Sequence, residues 1–154
     1  MHKLEITVSN KKNDSTGFST KTDIEEDLGI QGIDSICFAE VYFFDTTLDK
    51  EKIKEIAKNA FTDPLIQKFT IDEDSYEKYD YYVEVKLHDD VTDNVGMVAI
   101  EAVEDFLGKK IEGTIRTAKK YYFEGTISKE QIEKISKELL ANEVIETFTI
   151  GEKK

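Results

Sequence analysis

Apolar and polar residues alternate strictly at two places in the chain. In "LEITVS", Leu4, Ile6 and Val8 alternate with Glu5, Thr7 and Ser9, and in "VEVKLH", Val83, Val85 and Leu87 alternate with Glu84, Lys86 and His88. A period of two places each apolar set on one face of a half-buried strand. Each strand is followed by an aspartate, Asp14 or Asp93, whose carboxylate can accept the free N–H groups of a helix start. The helices so begun end at Gly29 and Gly108. After a second strand comes a second helix, clearest late in the chain. There Ser128 and Gln131 have capping-box spacing, and Ile132, Ile135, Leu139 and Leu140 line one face. The earlier helix carries Ile53, Ile56, Ala60 and Phe61 in the same way. Pro64 and Asn142 mark the helix exits, Asn142 as a residue that takes the left-handed conformation, and strands follow at 65–71 and 144–150.

The order strand, helix, strand, helix, strand is therefore written twice. A shift of 79 aligns residues 4–71 with 83–150 without a gap, and about 20 of those 68 positions are identical. Glu5, Asp14, Gly17, Leu28, Gly29, Ile36, Tyr42, Phe44 and Ile53 fall on Glu84, Asp93, Gly96, Leu107, Gly108, Ile115, Tyr121, Phe123 and Ile132. Both copies end in "FTI". The expected organisation is a first repeat at 1–71, an acidic linker at 72–80 and a second repeat at 81–154. A unit of about 70 residues is marginal alone, so the two should pack as one compact pseudo-symmetric body. The linker "DEDSYEKYD" has no apolar period and reads as solvated. It is not a calcium loop, because Glu77 stands at the glycine position and Val83 at the bidentate glutamate position.

The copies also differ. On one face of the first middle strand lie Cys37, Ala39, Val41 and Phe43, where the second has Arg116, Ala118, Lys120 and Tyr122. Conversely, Val98, Ala102 and Phe106 stand where the first copy has Ser19, Asp23 and Asp27. Two readings follow: the surplus apolar residues bury against the opposite copy, or one patch docks another protein.

Charge narrows the partners. The chain of 154 residues carries a formal net charge of −12, spread over both halves, which repels nucleic acid and anionic membranes. No apolar run is long enough to span a bilayer and the start lacks an apolar signal core, so a cytoplasmic protein is expected. The single cysteine, Cys37, reads as a small core residue. The cluster His88, Asp89, Asp90 and Asp93 lacks a known ligand spacing and reads as strand end, turn and helix cap. No phosphate loop, dinucleotide glycine run or serine elbow occurs. No catalytic residue, metal or cofactor is expected.

Two motifs in fixed order bear a family likeness. "VTDNVG" at 91–96, opening a helix, and "LLANEVIE" at 139–146, closing one, resemble the small S subunit (PurS) of phosphoribosylformylglycinamidine synthase. With "FTDPLIQ" at 61–67, the duplicated arrangement is similar to the N-terminal domain of the longer synthase chains, which looks like two S subunits fused. The resemblance spans residues 3–150. It implies an α+β fold of two PurS-like β-α-β-α-β repeats, with antiparallel-rich sheets and a pseudo-twofold axis, like a fused PurS dimer. It also implies a non-catalytic subunit of purine biosynthesis that bridges a large synthetase subunit and a glutaminase subunit and supports ammonia delivery. A homo-oligomer is compatible with it. The motif residues Asp93, Asn94, Gly96, Leu139, Leu140 and Asn142 are then candidates for partner contact, beside their structural roles of cap, close approach and helix exit. Lys119 joins them, because the longer relatives tend to have a Ser-Arg pair where this chain has Ala118 and Lys119. Lysine keeps the charge without the planar bidentate fork. The alternative from another class is a duplicated α+β regulatory module that binds a small molecule between the repeats.

Overall fold

A computed structural model describes residues 1–153. The strands are β1 (His2–Val8), β2 (Ile33–Thr46), β3 (Gln67–Ile71), β4 (Tyr81–Leu87), β5 (Gly113–Gly125) and β6 (Glu146–Glu152). The helices are α1 (Ser15–Asp27), α2 (Lys50–Ile56), α3 (Asn94–Leu107) and α4 (Lys129–Ile135). The fold is α+β, with a single antiparallel sheet in the order β3-β1-β2-β5-β4-β6.

The two halves thus meet strand to strand. In the β2–β5 pairing Glu40 lies opposite Lys119, the residue 79 positions further on. From there the pairs run outward symmetrically, Ala39 with Lys120 and Val41 with Ala118, then Phe38 with Tyr121 and Tyr42 with Thr117. This is the self-complementary geometry of a twofold interface, in which the central position meets its own equivalent and every other pair is matched by its reciprocal across the axis.

All four helices share one face of the sheet, because strand residues of one parity pack against them. Ile24 of α1 and Ile132 and Ile135 of α4 share a core with Ile36, Val83, Val85 and Phe123. Ile53 and Ile56 of α2 and Ala99 and Val103 of α3 share a second core with Leu4, Ile6, Phe44 and Ile115. Each core therefore pairs one helix from each half of the chain, and burying either requires both halves. Residues of the other parity, Cys37, Ala39 and Tyr122, form a third cluster with Tyr76 on the opposite face.

That third cluster corrects the reading of 72–80 as solvated. Tyr76 is 7% exposed and lies edge-on to the Tyr122 ring at 5.1 Å, and Tyr79 meets the same ring at 5.1 Å. The segment is a strap across the helix-free face. The reason is the tyrosines, whose rings bury while their acidic neighbours stay wet.

The exit at Asn142 also differs from expectation. Asp72 is the one non-glycine residue with positive φ among those described, so Asn142 is not left-handed. Instead α4 widens into a π-helical turn, Ser136–Leu140, closed by the Ala141 N–H donating to the Ser136 carbonyl at 2.9 Å. Asn142 then holds the next turn, its side-chain oxygen accepting from the Val144 N–H and its carbonyl from the Ile145 and Glu146 N–H groups. Asp63 does the same for Leu65, Ile66 and Gln67 after the matching turn at Ala57–Phe61. These turns delay β3 and β6 by two residues, and the wider winding buries Ala57 and leaves Ala60 exposed.

Burial against the opposite half accounts for only part of the surplus apolar surface. Cys37, Ala39 and Val41 are buried, whereas Val98 is 63% exposed and Phe106 38%.

Candidate functional site

The motif at the start of α3 is fixed by one carboxylate. Asp93 is buried; one of its oxygens accepts from the Gly96 N–H at 2.8 Å, capping the helix, and the other from the Thr117 N–H of β5 at 2.6 Å. The Thr117 hydroxyl adds a third bond at 3.0 Å. Asp14 repeats the arrangement with the N–H groups of Gly17 and Phe38, at 2.8 and 2.7 Å. A Cβ at Gly96 would collide with the Ile115 carbonyl oxygen, and one at Gly17 with that of Ile36. Aspartate and glycine at this spacing therefore let a helix begin in contact with the middle of the sheet.

Beside this helix start lies a groove of about 550 Å³. Its floor includes Glu40 and Tyr42 of β2 and Thr117 and Lys119 of β5; its walls include Val91–Val95 and Ile145. Burial, then the neighbouring Glu40, pushes the Tyr42 phenol up to about 12, and its hydroxyl lies 3.4 Å from the Glu40 carboxylate. The equivalent groove beside Asp14 is about 130 Å³. There Phe38 stands at the position of Thr117, its ring 5.3 Å from that of Tyr121, so a larger side chain fills the space.

Of the residues singled out from the sequence, Asp93, Asn94 and Lys119 come together around the groove, with Gly96 behind it against β5. Leu139 and Leu140 lie elsewhere, half-buried against the core shared by α1 and α4. Asn142 is exposed and reaches the groove only through Glu146, whose carboxylate accepts its N–H at 2.9 Å. His88 donates from Nε2 to the Glu143 carbonyl, 3.0 Å away, and among the described residues no three acidic, histidine or cysteine side chains gather as a metal site.

A matching family falls on this half of the molecule. The family model PurS, phosphoribosylformylglycinamidine (FGAM) synthase, matches residues 80–153, from the end of the strap through β6. The chain carries a PurS-like domain. No curated protein matches the chain. The PurS-like span contains Asp93, Gly96, Lys119 and the Asn142 turn, and it contributes most of the groove, with Phe38, Glu40, Val41 and Tyr42 supplied from β2 outside it. Among the described residues no helix is long and apolar enough to cross a membrane.

On the helix-free face of the PurS-like half is a cluster that sequence reasoning missed. Lys120 is buried, with its ammonium 2.9 Å from Glu5 and 3.1 Å from Asp74 of the strap, and over the rings of Tyr82 and Tyr122 at 4.3 and 4.7 Å. Glu5 is buried too and accepts from the Ser75 hydroxyl at 2.7 Å and from the Tyr122 hydroxyl. Burial would lower the Lys120 pKa, but the adjacent Glu5 carboxylate outweighs it and holds the ammonium above its ordinary value. The available signal was a lysine at a position whose twin, Val41, is apolar, on a strand face that otherwise reads as buried.

Proposed function

We propose that the chain is a fusion of two PurS-like units, residues 1–71 and 81–154 joined by the strap at 72–80, and that it serves as an assembly subunit of FGAM synthase. In this reading it has no active site of its own. It bridges the synthetase and glutaminase subunits and supports transfer of ammonia between them, with Asp93, Asn94, Gly96, Lys119, Leu139, Leu140 and Asn142 as the motif residues through which contact or its framework is supplied. The family match over residues 80–153 carries the reading. The first half supports it, since its elements follow the same order and its β2 faces β5 in twofold register.

Reconstitution tests it. Purified cognate synthetase and glutaminase subunits are expected to form FGAM from glutamine only when the chain is added, and to co-elute with it. Full glutamine-dependent activity without the chain, or no co-elution, would sink the proposal. A second reading, a regulatory module that binds a small molecule, draws on the groove, which lies beside the pseudo-twofold axis with Lys119, Tyr42 and Asn94 converging on it. Saturable binding of a metabolite at the groove, with no synthase partner, would favour it.

A further inference from the structure

α1 and α3 occupy equivalent places in the two halves, yet they present opposite surfaces. Val95, Val98, Ala102 and Phe106 of α3, spaced by three or four residues, form one stripe, and Val95 and Val98 are 59% and 63% exposed. The equivalent residues of α1 are Thr16, Ser19, Asp23 and Asp27. The same backbone is thus built without the apolar side chains, so folding does not require them. Val95 also lines the 550 Å³ groove, as does Ile145, which is 41% exposed beside the fully wet Val144. Stripe and groove form one continuous apolar surface on one half of a pseudo-symmetric body.

Charge selects the occupant. Exposed Asp89, Asp90, Glu101, Asp105 and Glu143 belong to the segments that carry this surface. Two lysines, Lys86 and Lys119, line the groove, and Lys119 is paired across the sheet with Glu40. A second copy would bring the same acidic residues and the same net charge of −12 against them. We infer that the groove along α3 docks one apolar segment, flanked by lysine or arginine, of a partner protein. Because the other half has a small groove and a helix whose equivalent stripe is polar, with Phe18 its one exposed large apolar side chain, each chain takes one such segment. The partner's identity rests on the assembly reading above; the surface itself does not.

The test uses the full chain, Val98→Glu, and Ser19→Glu as its twin at the equivalent site. The first probe is an amphipathic helical peptide of leucine and lysine, with a leucine–glutamate peptide as control. The leucine–lysine peptide should bind the unaltered chain and Ser19→Glu alike, and Val98→Glu at least about tenfold more weakly. Both variants add one negative charge, so attraction by net charge alone would strengthen both, and that result overturns the proposal. So does equal binding of the leucine–glutamate peptide, or no binding of either. A homodimer that Val98→Glu dissolves would give the surface to a second copy and overturn it as well. The second probe is the purified synthetase or glutaminase subunit, whose binding Val98→Glu should weaken and Ser19→Glu should not. If neither subunit binds the unaltered chain, the assembly reading fails while the peptide result still decides the groove.

Discussion

Replacing Lys120 by methionine, which keeps the length of the side chain and removes its charge, is expected to destabilise the protein strongly. Lys120 and Glu5 each have only 1% of the side chain exposed, so the variant leaves a carboxylate in a dry site with only the more distant, partly exposed Lys3 ammonium, 3.7 Å away, as a cation. Breaking such a pair costs about 3–5 kcal/mol, far above the ~0–1 kcal/mol of an exposed ion pair. For a chain of this size that lowers Tm by about 6–20 °C. Thermal unfolding followed by circular dichroism measures it. Converting the partner as well, Lys120→Met with Glu5→Leu, removes the stranded charge and should recover at least about 2 kcal/mol of the loss. The pH dependence has a definite sign. The folded-state pKa of Lys120 lies above its unfolded value, so its stabilisation is complete below the ordinary lysine pKa of about 10.4 and is lost as pH climbs beyond it. Stability of the unaltered chain should therefore fall more steeply above that pH than stability of Lys120→Met. A Lys120→Met variant within about 1 kcal/mol of the parent, or a double variant no better than the single, would refute the reasoning.

Other outcomes follow from the same structure. Asp93→Ala removes a cap and leaves the N–H of half-buried Thr117 without its acceptor, which should cost about 2–4 kcal/mol in urea unfolding, while Asp93→Asn, retaining one acceptor, should cost less. Gly96→Ala drives a methyl into the Ile115 carbonyl and should cost at least about 1–3 kcal/mol, whereas a methyl at Gly108 meets only the strain of its positive φ. In the strap, burial tends to raise the Asp74 pKa, but bonds from Tyr79 and Lys120 prevail and lower it. Its contribution is then present above the ordinary aspartate pKa and lost as pH falls through the lowered one, so amide-exchange protection in residues 73–79, measured relative to the intrinsic rate at each pH, should fall on acidification before that of β2 and β5.

Legibility from sequence followed the range of the interactions. Asp93 and Gly96, three residues apart, act through a local bond and were readable, as was the Ser128–Gln131 capping box, which forms as spaced. Strand alternation placed Leu4, Ile6, Val83 and Val85 on buried faces correctly, because the pleat depends on neighbours only, but β1 is not half-buried as expected: Glu5 and Thr7 on its other face are buried as well. The seam between β2 and β5 was not readable, since its register joins residues far apart and local pattern carries no record of which edges meet. The strap escaped because its tyrosines bury against a sheet face, with no periodicity of their own to announce it. Asn142 misled because a left-handed exit and a π-helical turn tolerate the same residue. The groove was half visible: Asp93, Asn94 and Lys119 were named, but Tyr42 and Glu40 come from the other half of the chain.

The pairing of Glu40 with Lys119 bears on which halves can associate. In an antiparallel pair related by a twofold axis, the central residue of each strand meets its own equivalent. Two first halves joined this way would set glutamate against glutamate, and two second halves lysine against lysine, with like charges directly opposed at the centre of the ladder. Only the mixed pair places opposite charges there. At this position the two halves complement each other, so the covalent link joins parts whose central charges already favour the mixed pair.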